Sequence, residues 1–218
     1  MRVLLSVCLC MLLFSGCYIA PWLLQKNPHG LDKPAPAVYH VLMETSKGNM
    51  LLEVRREWSP HGADRFYHLV RGGYYNNIRV FRIRARTWAQ FGISGDPRFA
   101  QAWRNRTFPD DPRVEANVRG TVDFAFKDPN GRTTEVFINL GDNRATHDKE
   151  PFVPFAKVIK GMEVADSLYN GYGERSGGGI RGGKQDSVFA YGNAWLDRNF
   201  PKLDTIRRTS IISLLYPG

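Results

Sequence analysis

Arg82 stands eight residues before Gln90 in the stretch Phe81 to Gly92, which reads FRIRARTWAQFG and is followed by Ser94-Gly95-Asp96-Pro97. The run alternates in the manner of a β-strand, where side chains two apart share a face. Arg82, Arg84, Arg86, Trp88 and Gln90 therefore line one surface if the strand carries no bulge. A fixed guanidinium beside an amide and an aromatic ring can hold a peptide and act on its backbone. The same residues also suit an edge strand that uses arginine to block pairing with another chain, so the stretch alone leaves both readings open.

The flanking sequence supplies the elements that must position such a face. Tyr39 to Thr45 and Met50 to Val54 read as a β-hairpin around Ser46-Lys47-Gly48-Asn49. Gly62 to Arg71 reads as an amphipathic helix, with Ala63, Phe66, Tyr67 and Val70 spaced by three and four and Gly72-Gly73 as its stop. Strands are predicted at Val80 to Gln90, Thr121 to Phe126, Val136 to Asn139 and Phe155 to Ile159, with a short helix at Met162 to Leu168. Many short strands with two helices predict a mainly β fold, a closed barrel capped by helices.

Four segments in order, TVDFAF (121 to 126), TTEVFINL (133 to 140), PFAKVIKG (154 to 161) and MEVADSLYNGYGE (162 to 174), give the chain a recognisable likeness. Together with FRIRARTWAQFG, they resemble the cyclophilins, which are peptidyl-prolyl cis-trans isomerases, and among them the divergent members. The resemblance covers roughly Tyr39 to Ile211. It implies a closed eight-stranded antiparallel barrel with a helix over each end, and a catalyst of Xaa-Pro rotation that needs no cofactor and no metal.

The chemistry of that reaction fits the residue types. Amide resonance sets a rotation barrier of about 18–20 kcal/mol, while cis and trans prolyl forms differ by only about 0.5–1 kcal/mol. A catalyst must bind the twisted amide better than either planar form. In the twisted state the proline nitrogen regains a lone pair, and an arginine donor aimed there is favoured only then. The resemblance places Arg82 as that catalytic arginine and Gln90 as the residue supporting it and the substrate carbonyl. It places Phe137 at the floor of the proline pocket, with Trp88, Thr87, Ala125, Phe126, Glu135, His147 and Phe152 as further substrate-binding positions.

Several of these positions depart from the family. Ala85-Arg86-Thr87 replaces Pro-Gly-Phe, so Thr87 stands for a pocket phenylalanine, and Trp88 stands for methionine or valine. Glu135 stands for glutamine, His147 for a pocket leucine and Phe152 for a histidine, and Thr146 sits where some members carry the tryptophan that supports cyclosporin binding. A pocket more polar on one side follows, and Glu135 can pair with Arg82, Arg84 or Arg86. Two functional readings are open: an isomerase, and a cyclophilin-fold module that binds proline-containing peptides with little turnover.

The ends and the composition bound the rest. The chain has 218 residues, 43% of them hydrophobic, a net charge of +9 and a pI near 9.6. No nucleic-acid motif accompanies the charge, and basic and acidic residues are interspersed, so a basic solvated surface and a monomer without a nucleic-acid partner are expected. All three cysteines, Cys8, Cys10 and Cys17, lie in the first 17 residues, which leaves no disulfide or thiolate metal site in the remainder. The five histidines show no metal-ligand spacing.

Residues 1–24 read as a signal peptide or signal anchor. Arg2 precedes a mostly apolar run from Val3 to Leu24, long enough for either role. Phe14-Ser15-Gly16-Cys17 resembles a bacterial lipobox, with Cys17 as the lipidation candidate. Residues 25–37, QKNPHGLDKPAPA, read as an extended proline and glycine linker, and residues 38–218 as the isomerase domain. A membrane-tethered, extracytoplasmic or lumenal enzyme that assists protein folding is thus expected. Gly177 to Gly182, GGGIRG, matches GxGxxG but lacks the flanking strand and helix of a dinucleotide site. Asn105-Arg106-Thr107 is a glycosylation sequon that matters in a eukaryotic lumen.

Overall fold

A computed structural model of the chain describes residues 33–177 and 185–215. Cys17, the apolar segment 1–24, the first part of the linker and most of the glycine-rich loop lie outside the described residues. No helix among the described residues is long and apolar enough to cross a membrane.

The predicted hairpin forms from β1 (Val38–Thr45) and β2 (Gly48–Arg55), paired from Val38↔Arg55 to Thr45↔Gly48. Strict alternation in β1 turns Tyr39, Val41 and Met43 inward, and Met50, Leu52 and Val54 of β2 join them. Then come β3 (Ile78–Arg79), β4 (Arg82–Arg84), β5 (Trp88–Phe91), β6 (Thr121–Phe124), β7 (Val136–Asn139), β8 (Pro154–Lys160) and β9 (Thr205–Leu215). These form one antiparallel sheet among the described residues, in the order β3-β9-β1-β2-β8-β6-β7-β5-β4.

The expected closed eight-stranded barrel is not what forms. The sheet has nine strands and its outer members, β3 and β4, do not pair with each other, so it is an open curl. Both are too short to close the ladder. The free edge of β4 is met instead by a loop, with Ile83 N donating to Gly173 O at 3.2 Å.

The single strand expected over Val80 to Gln90 is also replaced, by a tight hairpin. Arg82 pairs with Gln90, Ile83 with Ala89 and Arg84 with Trp88. Arg86 sits at the turn with φ of 60°. The turn is imposed from outside. Leu140 N and Asn143 Nδ2 both donate to Thr87 O, at 2.9 and 2.7 Å, and Gly141 packs so tightly that a Cβ there would lie 2.3 Å from Arg86 O. Opposed residues of an antiparallel pair share a face. Arg82, Arg84, Trp88 and Gln90 therefore stay together, while Arg86 leaves the row.

Among the described residues there are five helices where the sequence predicted two. Helix α1 (Pro60–Arg71) and α4 (Met162–Ser167) match the expected ones. Proline opens α1, and Asp111 accepts from Gly62 N at 3.1 Å and from Ser59 Oγ at 2.6 Å, satisfying its N-terminus. The others are α2 (Pro97–Trp103), capped by Asp96 accepting from Arg98 N, the one-turn α3 (Arg144–His147), and α5 (Gln185–Asn199), broken at Gly192.

The main core fills the curl, where Phe66 and Leu69 of α1 pack on Phe124, Phe155 and the inward residues of β1 and β2. A second, smaller core of Phe81, Ile93, Ala100, Val188, Phe189 and Leu196 holds α5 against α2 and the start of β4. Residues 33–37, expected as part of an extended linker, lie on α1. Ala35 N donates to Asp64 Oδ1 at 2.8 Å, and His68 Nε2 meets Lys33 O at 2.8 Å.

Candidate active site

The hairpin of β4 and β5 presents Arg82 over the ring of Trp88, with 4.1 Å from the guanidinium carbon to the ring centroid. Such stacking suits a planar cation and costs it no hydrogen-bonding edge. Arg82 Nη1 donates to Gln90 Oε1 at 2.9 Å, directly across the ladder. On its other side, Arg82 Nη2 lies 3.3 Å from Glu174 Oε2. Three partners thus fix one guanidinium at the mouth of a cavity of about 230 Å³.

That cavity is floored by aromatic rings. Gln90 pairs with Phe137 of β7, which brings Phe137 beneath the hairpin. Phe137, His147 and Phe152 pack edge-on or tilted, with centroids 4.8–5.4 Å apart. Burial lowers the pKa of His147, partly offset by Asp148 and Glu150, and its Nδ1 lies 3.2 Å from Asn139 Oδ1. A neutral imidazole therefore forms one wall. Ala125 completes the lining and is shared with a neighbouring groove of about 540 Å³, bounded by Phe126, Glu135, Gln185 and Phe189 among others.

Beneath the floor lies a buried polar network that the sequence did not reveal. Asn139 Nδ2 donates to Thr121 Oγ1 and Asp123 Oδ2, both at 2.9 Å, and Asn143 Nδ2 donates to Asn139 Oδ1 at 2.6 Å. Burial raises the pKa of Asp123 well above the usual carboxyl range. Because Asn143 also bonds Thr87 O, this network ties the floor to the turn of the hairpin.

Of the expected residues, Arg82, Trp88, Gln90, Ala125, Phe137, His147 and Phe152 meet at one cavity. Phe126 lies at its margin, 4.7 Å from Phe152 and facing the second groove. Glu135 is buried behind Gln90 rather than paired directly with an arginine of the row. Its Oε2 accepts from Gln90 Nε2 at 2.6 Å. Burial pushes the Glu135 carboxyl up to about 7, against the lowering by that hydrogen bond and by the charges of Arg82 and Arg104. Thr87 is not among the lining residues. Its hydroxyl stays in the turn, on Ala85 O, and its carbonyl anchors the loop.

Sequence reasoning missed Glu174 and Gln185, which contact Arg82 and Glu135 respectively. Neither carries a local signal. Each arrives from a segment after α4 that only the tertiary fold brings alongside.

The arrangement can hold an apolar ring against Phe137 and Phe152 while a fixed arginine faces the amide attached to it. The chain is similar to known proteins in sequence and in fold. The cyclophilin-type peptidyl-prolyl cis-trans isomerase family matches residues 40–181. Peptidyl-prolyl cis-trans isomerase A of Dickeya dadantii is 31% identical over 133 residues, 59% of this chain and 70% of that protein. The human peptidyl-prolyl cis-trans isomerase-like 3 is 29% identical over 136 residues, 59% of this chain and 80% of its own. Among solved structures, a cyclophilin-type isomerase of Cryptosporidium parvum aligns with a TM-score of 0.58 at 21% identity, covering 81% of this chain and 98% of that one. The same Cryptosporidium protein crystallised in the presence of the dipeptide Ala-Pro aligns with a TM-score of 0.57 at 21% identity, over 80% and 99% of the two chains. The match to the family extends over both strands of the Arg82 hairpin and over the Phe137 floor, and the chain belongs to the cyclophilin-type peptidyl-prolyl cis-trans isomerases.

Proposed function

We propose that this isomerase rotates Xaa-Pro bonds in unfolded or partly folded proteins at a membrane surface, outside the cytoplasm or in a secretory lumen. The observation that carries the catalytic part is the Arg82 guanidinium, fixed over Trp88 by Gln90 at the mouth of a Phe137-floored cavity. The proline ring gains by burial against Phe137 and Phe152. The donor edge of Arg82 is favoured when the amide twists and its nitrogen becomes a better acceptor, which is binding of the transition state over the ground state. No nucleophile, metal or cofactor is needed for this step. Gln90 holds the arginine and leaves it to meet the substrate.

The location rests on the sequence, in the apolar run Val3 to Leu24 with the lipobox-like Cys17. A lipid on Cys17 or an uncleaved anchor would hold the domain at the surface of the membrane it has crossed, whereas a cleaved signal would release it on that side. The net charge of +9 favours a monomer, the aromatic-floored cavity favours peptide clients, and the interspersed acidic residues with no nucleic-acid motif argue against a nucleic-acid partner.

A second reading, a proline-peptide binder with low turnover, has one observation in its favour. Glu174 occupies one edge of Arg82. A protease-coupled isomerisation assay on Xaa-Pro peptides decides between them. The expected result is measurable turnover that Arg82→Ala lowers by about 10²- to 10³-fold, the usual effect of removing one electrostatic donor, with the melting curve retained. Wild-type activity in Arg82→Ala would sink the assignment, and peptide binding without turnover in the native protein would establish the binder.

A further inference from the structure

Helix α5 follows the segment matched by the family, yet its first residue reaches the layer behind the active site. Gln185 Nε2 donates to Glu135 Oε2 at 2.8 Å. The same oxygen accepts from Gln90 Nε2 at 2.6 Å, and the other end of that amide, Oε1, accepts from Arg82 Nη1 at 2.9 Å. Four side chains from four parts of the chain therefore form one continuous line, ending on the guanidinium.

The line has a direction. A carboxamide has one donating and one accepting end, whereas a carboxylate only accepts and a guanidinium only donates. An ionised Glu135 therefore leaves Gln90 one satisfactory orientation, with the NH₂ on the carboxylate and the carbonyl oxygen on Arg82. Turned over, the amide would set oxygen against carboxylate and NH₂ against guanidinium. A protonated Glu135 has a hydroxyl to donate and no longer imposes this choice.

We propose that Glu135 and Gln185 are positioning residues of the isomerase, with Gln185 seating the Glu135 carboxylate so that it orients Gln90 and, through Gln90, aims Arg82. The inference rests on the isomerase reading of Arg82. It makes α5 part of the machinery, and α5 is firmly seated. Gly192 packs so closely on Gly95 that a Cβ would lie 2.1 Å from Gly95 O, Asn193 N donates to Gly95 O at 3.0 Å, and Asp186 pairs with Arg104, whose guanidinium lies 4.8 Å from the Phe189 ring.

Glu135 is buried, and its carboxyl, pushed up to about 7, changes charge in an accessible range. The charged and titratable groups around it are Arg82 from β4, Arg104 at the end of α2, Tyr74 after α1, Asp186 on α5, and Lys127 and Asp128 across the groove. Substitution of Glu135 itself separates its share from theirs.

The test measures kcat and KM for a Xaa-Pro peptide from about pH 5 to 9, in the full chain, for the native protein, Gln185→Leu, the isosteric Glu135→Gln and Arg82→Ala. Folding is checked by thermal melts. Expected are a native kcat that rises through about pH 7, a loss of that rise in Glu135→Gln, and a fall in kcat of about three- to tenfold in Gln185→Leu with KM little changed, the effect of one hydrogen bond. If Arg82→Ala is inactive while Gln185→Leu keeps native kcat, or while Glu135→Gln keeps the native pH profile, the positioning role is overturned and the isomerase reading stands. If the native protein is inactive, or Arg82→Ala matches it, both fail together.

Discussion

Arg82 is held by three unlike contacts, and their balance determines what charge the site shows a substrate. Glu174 faces Arg82, while Arg84 lines the same cavity and is exposed. Among the described residues Arg84 is thus the positive charge at the rim with no acidic side chain paired to it, and Arg86, expected beside it, has turned away. A basic rim selects acidic neighbours by direct pairing and by steering. Glu-Pro and Asp-Pro peptides should turn over faster than Lys-Pro peptides at low salt, with the gap shrinking as salt screens the exposed pair. Measuring both series at two ionic strengths, with Arg84→Ala alongside, checks this. Equal rates at low salt would mean that Arg84 only guards the sheet edge. The likeness of FRIRARTWAQFG and TTEVFINL to a known family made Arg82, Gln90 and Phe137 legible, and the structure brings all three together. Glu174 and Gln185 were not legible because their roles depend on where distant loops come to rest, which no local spacing encodes.

At the scale of elements, periodicity was read well where one side of an element is buried and the other is wet. The β1 and β2 hairpin and α1 have this form, and they appear within a few residues of their expected ends. The hairpin of β4 and β5 was hidden because Arg86, a bulky residue, adopts a backbone normally left to glycine or asparagine. Its turn is set by Leu140, Gly141 and Asn143 from another part of the chain. Helix α5 was hidden for a related reason, since Gly192 interrupts it and weakens its amphipathic pattern. A direct prediction follows for the turn. Gly141→Ala places a methyl group against the Arg86 carbonyl, where the obstacle is backbone and cannot swing aside. The variant should lose about 1–3 kcal/mol of stability, as for other overpacked sites. It should also lose isomerase activity, because the turn aims Arg82 and Trp88. Denaturant unfolding and the peptide assay measure the two effects, and native values in both would show the turn to be independent of its clamp.

For the whole molecule, the buried carboxyls shape how stability varies with pH. Glu135 goes from an ordinary value of 4.5 to about 7 on folding, and Asp123 moves in the same direction. A raised carboxyl pKa means the folded state holds its proton longer than the unfolded chain. Its contribution is fully present below about pH 4.5 and is lost as pH rises through about 7. The ion-paired Asp96, Asp142 and Asp166 shift oppositely, each through a hydrogen-bonded arginine, but they lie at the surface where such pairs count for little. Glu135→Gln should therefore gain stability relative to the native protein across that window, by up to roughly 3 kcal/mol at pH 8. Parallel unfolding titrations at several pH values test this, and a constant difference would mean that Glu135 keeps its ordinary pKa. The strand order carries a further consequence, one of timing. β9 lies between β3 and β1, and Val38 pairs with Leu215. A chain emerging from the ribosome has the partner strands ready long before β9 arrives, and until then β1 offers an open edge. The sheet can lock only once synthesis has passed Leu215, so its assembly is set by the last-made strand and not by the first-made hairpin.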